Sequence, residues 1–110
     1  MLFRSSCAKS TPWQQARSVA GRVAAVKGPV VSTKFASSSR GMPTFLNLGK
    51  PYPDLRRFTV VIWVENRWKF GAAPERRYLG KSVCVTGVVS LYRGVPEIEA
   101  RSPGQIWIVG

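Results

Sequence analysis

The chain has no histidine, two cysteines and five acidic residues in a length of 110. Without imidazole there is no His general base, no Ser-His or Cys-His nucleophile and no His ligand for a metal. Cys7 and Cys84 cannot fill a four-ligand zinc site between them. Cys84 stands in the run Val83-Cys84-Val85 and reads as a small buried hydrophobe, while Cys7 sits in a loose leader, so no disulfide is expected. The close carboxylates are Glu97 and Glu99, which two apart on a strand would share one face, as a metal or acid/base pair requires. A solvated strand face paired with Arg93 or Arg101 is the plainer reading. No catalytic residue, metal or cofactor is therefore expected, and the chain reads as a non-enzyme. Arg, Lys or Gly breaks every apolar stretch well short of about 18 residues, so no membrane span is predicted. Residues 1–10 carry Arg4 and Lys9 but no continuous apolar centre, unlike a secretory signal.

Positive charge is what the chain has in excess. Seventeen Lys and Arg against five acids give +12 and an isoelectric point near 11.0. The first acid is Asp54, so residues 1–53 are basic without relief. Such an excess calls for a polyanion: nucleic acid first, since neutralising phosphates releases counterions, and an anionic membrane surface second. The composition, 45% hydrophobic and 11% aromatic, is that of a folded domain. A flexible basic leader over residues 1–10 and one domain over residues 11–110 is the expected organisation.

Along that domain, Thr11-Pro12-Trp13-Gln14 reads as a capping box opening a short helix over 12–19, stopped by Gly21, with Trp13 and Val19 as docking residues. Residues 22–35 form a long strand bent at Gly28-Pro29, so that it serves two parts of a curved sheet. A polar, mobile loop over 36–41 precedes a second strand over 43–48, and the β-rich residues 57–64 form a central third strand. Residues 65–78 carry helix signals, with Asn66 as cap, Trp68 and Phe70 as apolar anchors and Pro74 opening a second turn. Residues 83–92 and 95–100 form a hairpin about Arg93-Gly94, followed by a terminal apolar piece over 105–109. Five antiparallel strands with a helix between the third and fourth predict an all-β, five-stranded Greek-key OB-fold barrel, with a short N-terminal helical segment.

Residues 43–63, Lys81-Ser-Val-Cys-Val-Thr-Gly, Leu91-Tyr-Arg-Gly-Val-Pro-Glu-Ile and Ser102-Pro-Gly-Gln-Ile carry a family resemblance as well. They resemble bacterial OB-fold nucleic-acid-binding domains, which occur alone or fused to thermonuclease-like nucleases. The resemblance covers residues 13–109. It implies a barrel that binds single strands and does no chemistry itself, with a nuclease as one partner to consider. Cytoplasm is the default location, and secretion the alternative, because related domains accompany secreted nucleases.

OB barrels bind across their second and third strands, between two flanking loops. In Thr44-Phe45-Leu46-Asn47-Leu48 the period of two puts the leucines on the core face, leaving Phe45 as a stacking platform and Asn47 to meet a base edge. This resembles the strand of anticodon-binding OB domains. On the third strand Thr59 favours Thr59, Val61 and Trp63 outward, with Trp63 as a second stacker or, alternatively, packed against the helix. Lys34, Arg40, Lys50 and Arg57, with Tyr52, Tyr92 and Arg93 at loop tips, complete a basic groove with aromatic inserts. The predicted function is single-stranded nucleic-acid binding, DNA favoured over RNA, with low sequence specificity. The alternative is a protein-interaction module on the same barrel.

Overall fold

The computed structural model describes residues 7–109. A two-residue strand, β1 (Thr11–Pro12), is followed by a 3-10 helix, Trp13–Val19, and by the long strand β2 (Val23–Phe35). Next come β3 (Thr44–Leu48) and β4 (Phe58–Ile62). The helical connection consists of α1 (Val64–Arg67), a 3-10 turn over Trp68–Phe70 and α2 (Pro74–Arg77). The chain then forms β5 (Ser82–Tyr92), β6 (Val95–Glu99) and, after a 3-10 turn at Pro103–Gln105, β7 (Ile106–Ile108).

The strand order is β1-β2-β3-β4-β6-β5-β7, and β2 also pairs with β5, so β2 to β6 close into a barrel of five strands. Closure depends on β2 changing partners. Val23 to Pro29 pair with β5, and Val30 to Phe35 pair with β3, with a register shift between Val30 and Ser32. Pro29 has no N–H to give to a ladder, and its carbonyl accepts from Gly49 at 2.9 Å. The bend expected at Gly28-Pro29 thus marks the handover, and the bulge falls just after it, at Val31. β4 and β6 run parallel, in contrast to the expected antiparallel set, because the hairpin of β5 and β6 inserts β6 between β4 and β5. The result is the Greek-key, OB-like barrel.

Alternation fills the interior. Val26 and Val30 of β2, Leu46 and Leu48 of β3, Phe58, Val60 and Ile62 of β4, and Val83, Val85 and Val89 of β5 are all buried in one cluster. The helical connection adds Phe70 and Tyr78, meeting edge to face at 6.4 Å. Trp13 lies flat on backbone: a Cβ at Gly28 or Gly49 would stand 2.6 or 2.2 Å from its ring. With Val19, which also packs on the core, it docks the N-terminal 3-10 helix as expected.

Several local expectations are corrected. Thr11 belongs to β1, parallel to Val26, and the helix begins after Pro12 without a side-chain cap bond. Asn66 lies inside α1, whose N-cap is Trp63. Trp68 is 75% exposed and anchors nothing. The segment after β2 is a bonded turn, with Ser39 donating to the Ala36 carbonyl and Met42 to that of Ser39. The terminal apolar piece is a strand, β7, paired with β5.

Cys7 and Cys84 form a disulfide, with Cα atoms 5.9 Å apart, against the expectation of none. Alternation explains it: Val83 and Val85 point inward, so Cys84 points out between Lys27 and Trp107, where the Cys7 segment covers it. Of the expected leader, residues 1–6 lie outside the described residues, and Cys7 is tied to the barrel.

Candidate nucleic-acid interface

Register builds a polar row across the outer face of the barrel. Ser32 stands beside Asn47, Asn47 beside Thr59, and Thr59 beside Glu97. Three of the four are hydrogen-bonded in series: the Asn47 Nδ2 donates to Ser32 Oγ at 3.0 Å, and Thr59 Oγ1 donates to Asn47 Oδ1 at 3.0 Å. The series ends on Arg57, whose Nε donates to Thr59 Oγ1 at 3.1 Å and whose Nη1 donates to the Asp54 carbonyl at 2.9 Å. Asn47 and Thr59 are only 3% exposed despite facing away from the core, because raised loops make this face a groove.

That groove encloses about 580 Å³. Lys34, Ser39 and Phe45 line it toward the β2–β3 turn, and Tyr52, Arg57, Tyr92 and Val95 line it toward the β5–β6 hairpin. Phe45 is half-buried while Leu46 and Leu48 are fully buried, so strand β3 has the expected facing. Arg57 lies over the Tyr52 ring at 4.9 Å, and Arg93 over the Tyr92 ring at 5.4 Å. Both tyrosines are exposed, 71% and 59%, each with one face held by a cation and the rest open to a ligand. Arg17 braces this end, since its guanidinium donates to the carbonyls of Gly94 and Leu55 and so ties the hairpin tip to the β3–β4 loop.

Of the residues named from sequence, Lys34, Phe45, Asn47, Tyr52, Arg57, Thr59 and Tyr92 share the groove. Arg40 and Lys50 lie on the flanking loops outside its lining, and Arg93 reaches it only through Tyr92. Trp63 is not an open platform. Its indole N–H donates to the Glu99 carboxylate, and a Cβ on Gly41 would lie 2.9 Å from its ring, so both its edge and a face are occupied. Trp63 is packed, but on the Gly41 turn and beside Glu99 rather than in the core against the helix.

Glu97 was read as solvated but lines the groove. Its carboxylate has no hydrogen-bond partner among the described residues, and burial first, then the Glu99 charge, push its pKa up against the pull of Arg57. Glu99 instead pairs with Arg101 at 2.6 Å and accepts from the Trp63 indole, so its carboxylate is already engaged. Ser32 was also missed: the bulge at Val31 breaks the alternation that would have placed it.

No family model and no curated protein sequence matches the chain. In fold it is similar to the solved structure of a putative aspartyl-tRNA synthetase from Leishmania major Friedlin, with a TM-score of 0.55 and 14% identity over 91% of this chain. The fold is an OB-like barrel. At that identity the likeness speaks for fold alone, and this chain spans 20% of the length of that protein. The OB-like barrel supplies a groove with aromatic rings at both ends, a floor of fixed donors and acceptors, and Lys34, Arg57 and Glu97 in its lining.

Proposed function

We propose that the chain binds single-stranded nucleic acid in the groove, with little sequence preference and no chemical step of its own. The observation that carries this reading is the bonded row Ser32–Asn47–Thr59–Arg57 laid between Phe45 and the tyrosine pair Tyr52 and Tyr92. Bases stack on the aromatic rings, and phosphates run along Lys34 and Arg57, away from the carboxylate of Glu97. The fold neighbour, named for action on a tRNA, supports a nucleic-acid ligand in general. DNA is taken ahead of RNA as the first ligand to test, with both carried through the titration below. The Cys7–Cys84 disulfide favours an oxidising compartment over the cytoplasm for this activity.

The test is titration of labelled oligonucleotides, DNA and RNA in parallel, at two salt concentrations. If about four phosphates are neutralised, log affinity falls with log salt at a slope of about −3. A flat salt response, or no binding at low salt, overturns the reading and leaves the barrel as a protein-interaction module.

A further inference from the structure

A second depression, about 370 Å³, lies at the helical connection and is lined by Val64, Arg67, Trp68, Gly71, Ala72 and Ala73. Trp68 is 75% exposed, more than the tyrosines of the groove, whereas the other tryptophans are half-buried. A bare indole of this size on a folded surface marks a contact site. Its seat is rigid. Arg67, the preceding residue, donates to Glu75 at 2.8 and 3.0 Å and to Thr44 Oγ1 at 2.7 Å, and its guanidinium covers the Phe35 ring at 3.7 Å.

The surroundings are basic. Residues 64–81 hold five Lys or Arg against Glu65 and Glu75, and Arg67 already neutralises Glu75. Lys69, Arg76 and Arg77 are exposed; Lys69 donates to Asn66 Oδ1 at 3.0 Å and Arg77 to the Phe70 carbonyl at 2.8 Å, neither of which neutralises its charge. The depression is linked to the groove by a chain of contacts: Thr33, which lines the groove, donates to the Glu75 carbonyl at 2.8 Å, and the Glu75 carboxylate pairs at 2.8 Å with Arg67, which lines the depression.

We infer that Trp68 is a second stacking site for single-stranded nucleic acid, engaged only by strands long enough to run beyond the groove. The inference rests on the groove reading above and adds a length dependence to it. An exposed indole offers any base a π-face, and nearby Lys69 and Arg76 offer the adjoining phosphate a counter-charge, so the site needs no particular sequence. The small residues Gly71, Ala72 and Ala73 leave room for the ring of a base beside the indole.

The experiment compares oligo(dT) of about 4 and about 15 nucleotides on the full chain by fluorescence anisotropy, with thermal melts to confirm that each variant is folded. Trp68→Ala is expected to leave the short oligonucleotide's affinity unchanged and to weaken the long one by about 5- to 150-fold, the range of one lost base stack. Trp68→Phe should restore most of the long-strand affinity while abolishing most of the tryptophan quenching seen with the parent. Equal affinity of Trp68→Ala and parent at both lengths overturns the inference while the groove stands. Equal loss at both lengths also overturns it, because Trp68 would then act on the groove itself. If polyglutamate competes at Trp68 and the long strand does not, the surface belongs to an acidic protein partner. Failure of the parent to bind either oligonucleotide overturns the groove reading first.

Discussion

Phe45 stands between two residues that the barrel hides completely, Thr44 and Leu46, yet keeps part of its own ring open to the groove. Its removal therefore separates binding from stability. Phe45→Ala should weaken single-strand binding by about 1–3 kcal/mol with little change in salt slope, because a stack releases no counterions. Leu46→Ala, at a fully buried position, should cost about 2–5 kcal/mol of stability. If melts instead show Phe45→Ala far below Leu46→Ala, the facing of β3 is wrong. Glu97 gives a second prediction. Burial raises its carboxyl pKa above the ordinary 4.5, so the native chain holds that proton to higher pH than the unfolded chain does. Its contribution to stability is then fully present below 4.5 and is lost as pH climbs from there through the raised native value, opposite in sign to the contributions of Asp54 and Glu75, whose pKa values are lowered. Glu97→Gln should flatten that loss and melt higher than the parent at pH 7, with the difference shrinking toward pH 4. Superimposable melting profiles across that span would contradict it.

At the scale of elements, the handover in β2 and the hairpin at Arg93-Gly94 were legible because glycine and proline mark bends by their backbone chemistry, whatever the tertiary context. The facing of β3 was legible for a different reason: two leucines at a spacing of two, Leu46 and Leu48, mark the buried face of a strand. Aromatic residues were harder. Trp63 and Trp68 carry the same side chain five residues apart, and only the tertiary neighbours, Gly41 and Glu99 for one and solvent for the other, decide which is packed. The capping signal at Thr11 lost to a ladder with Val26, a contact between residues distant in sequence. Trp13 shows how such an element is held. Its ring rests where Gly49, at φ +81°, offers bare backbone. Gly49→Ala should cost more than the roughly 1–2 kcal/mol of a left-handed alanine, because the new methyl would sit inside the indole. Trp13→Ala in the same chain should recover part of that cost, giving clear non-additivity in denaturant melts. Strictly additive losses would place the ring elsewhere.

For the whole molecule, the arrangement separates what stabilises the barrel from what binds. The groove lies over β3, β4, β6, the Ser32–Lys34 part of β2 and the Tyr92 end of β5, whereas the disulfide fastens Cys84 near the other end of β5, next to Lys27 and Trp107. A link spanning 77 residues removes loop entropy from the unfolded chain worth about 4 kcal/mol. Reduction should therefore lower the melting temperature substantially, by several degrees for each kcal/mol lost in a domain of this size. It removes no positive side chain and leaves the row from Ser32 to Arg57 in place. At temperatures well below the lowered melt, the reduced protein and a Cys7→Ser variant should accordingly bind an oligonucleotide with the parent's affinity and the parent's salt slope. The measurement is anisotropy with and without reductant, set against circular dichroism on the same samples. Unchanged affinity with a depressed melt means that the covalent tie acts on the unfolded chain and not on the ligand. A fall in affinity while the native signal persists would mean that the two sides of the barrel are mechanically coupled, and the groove's geometry would then have to be described as dependent on the disulfide.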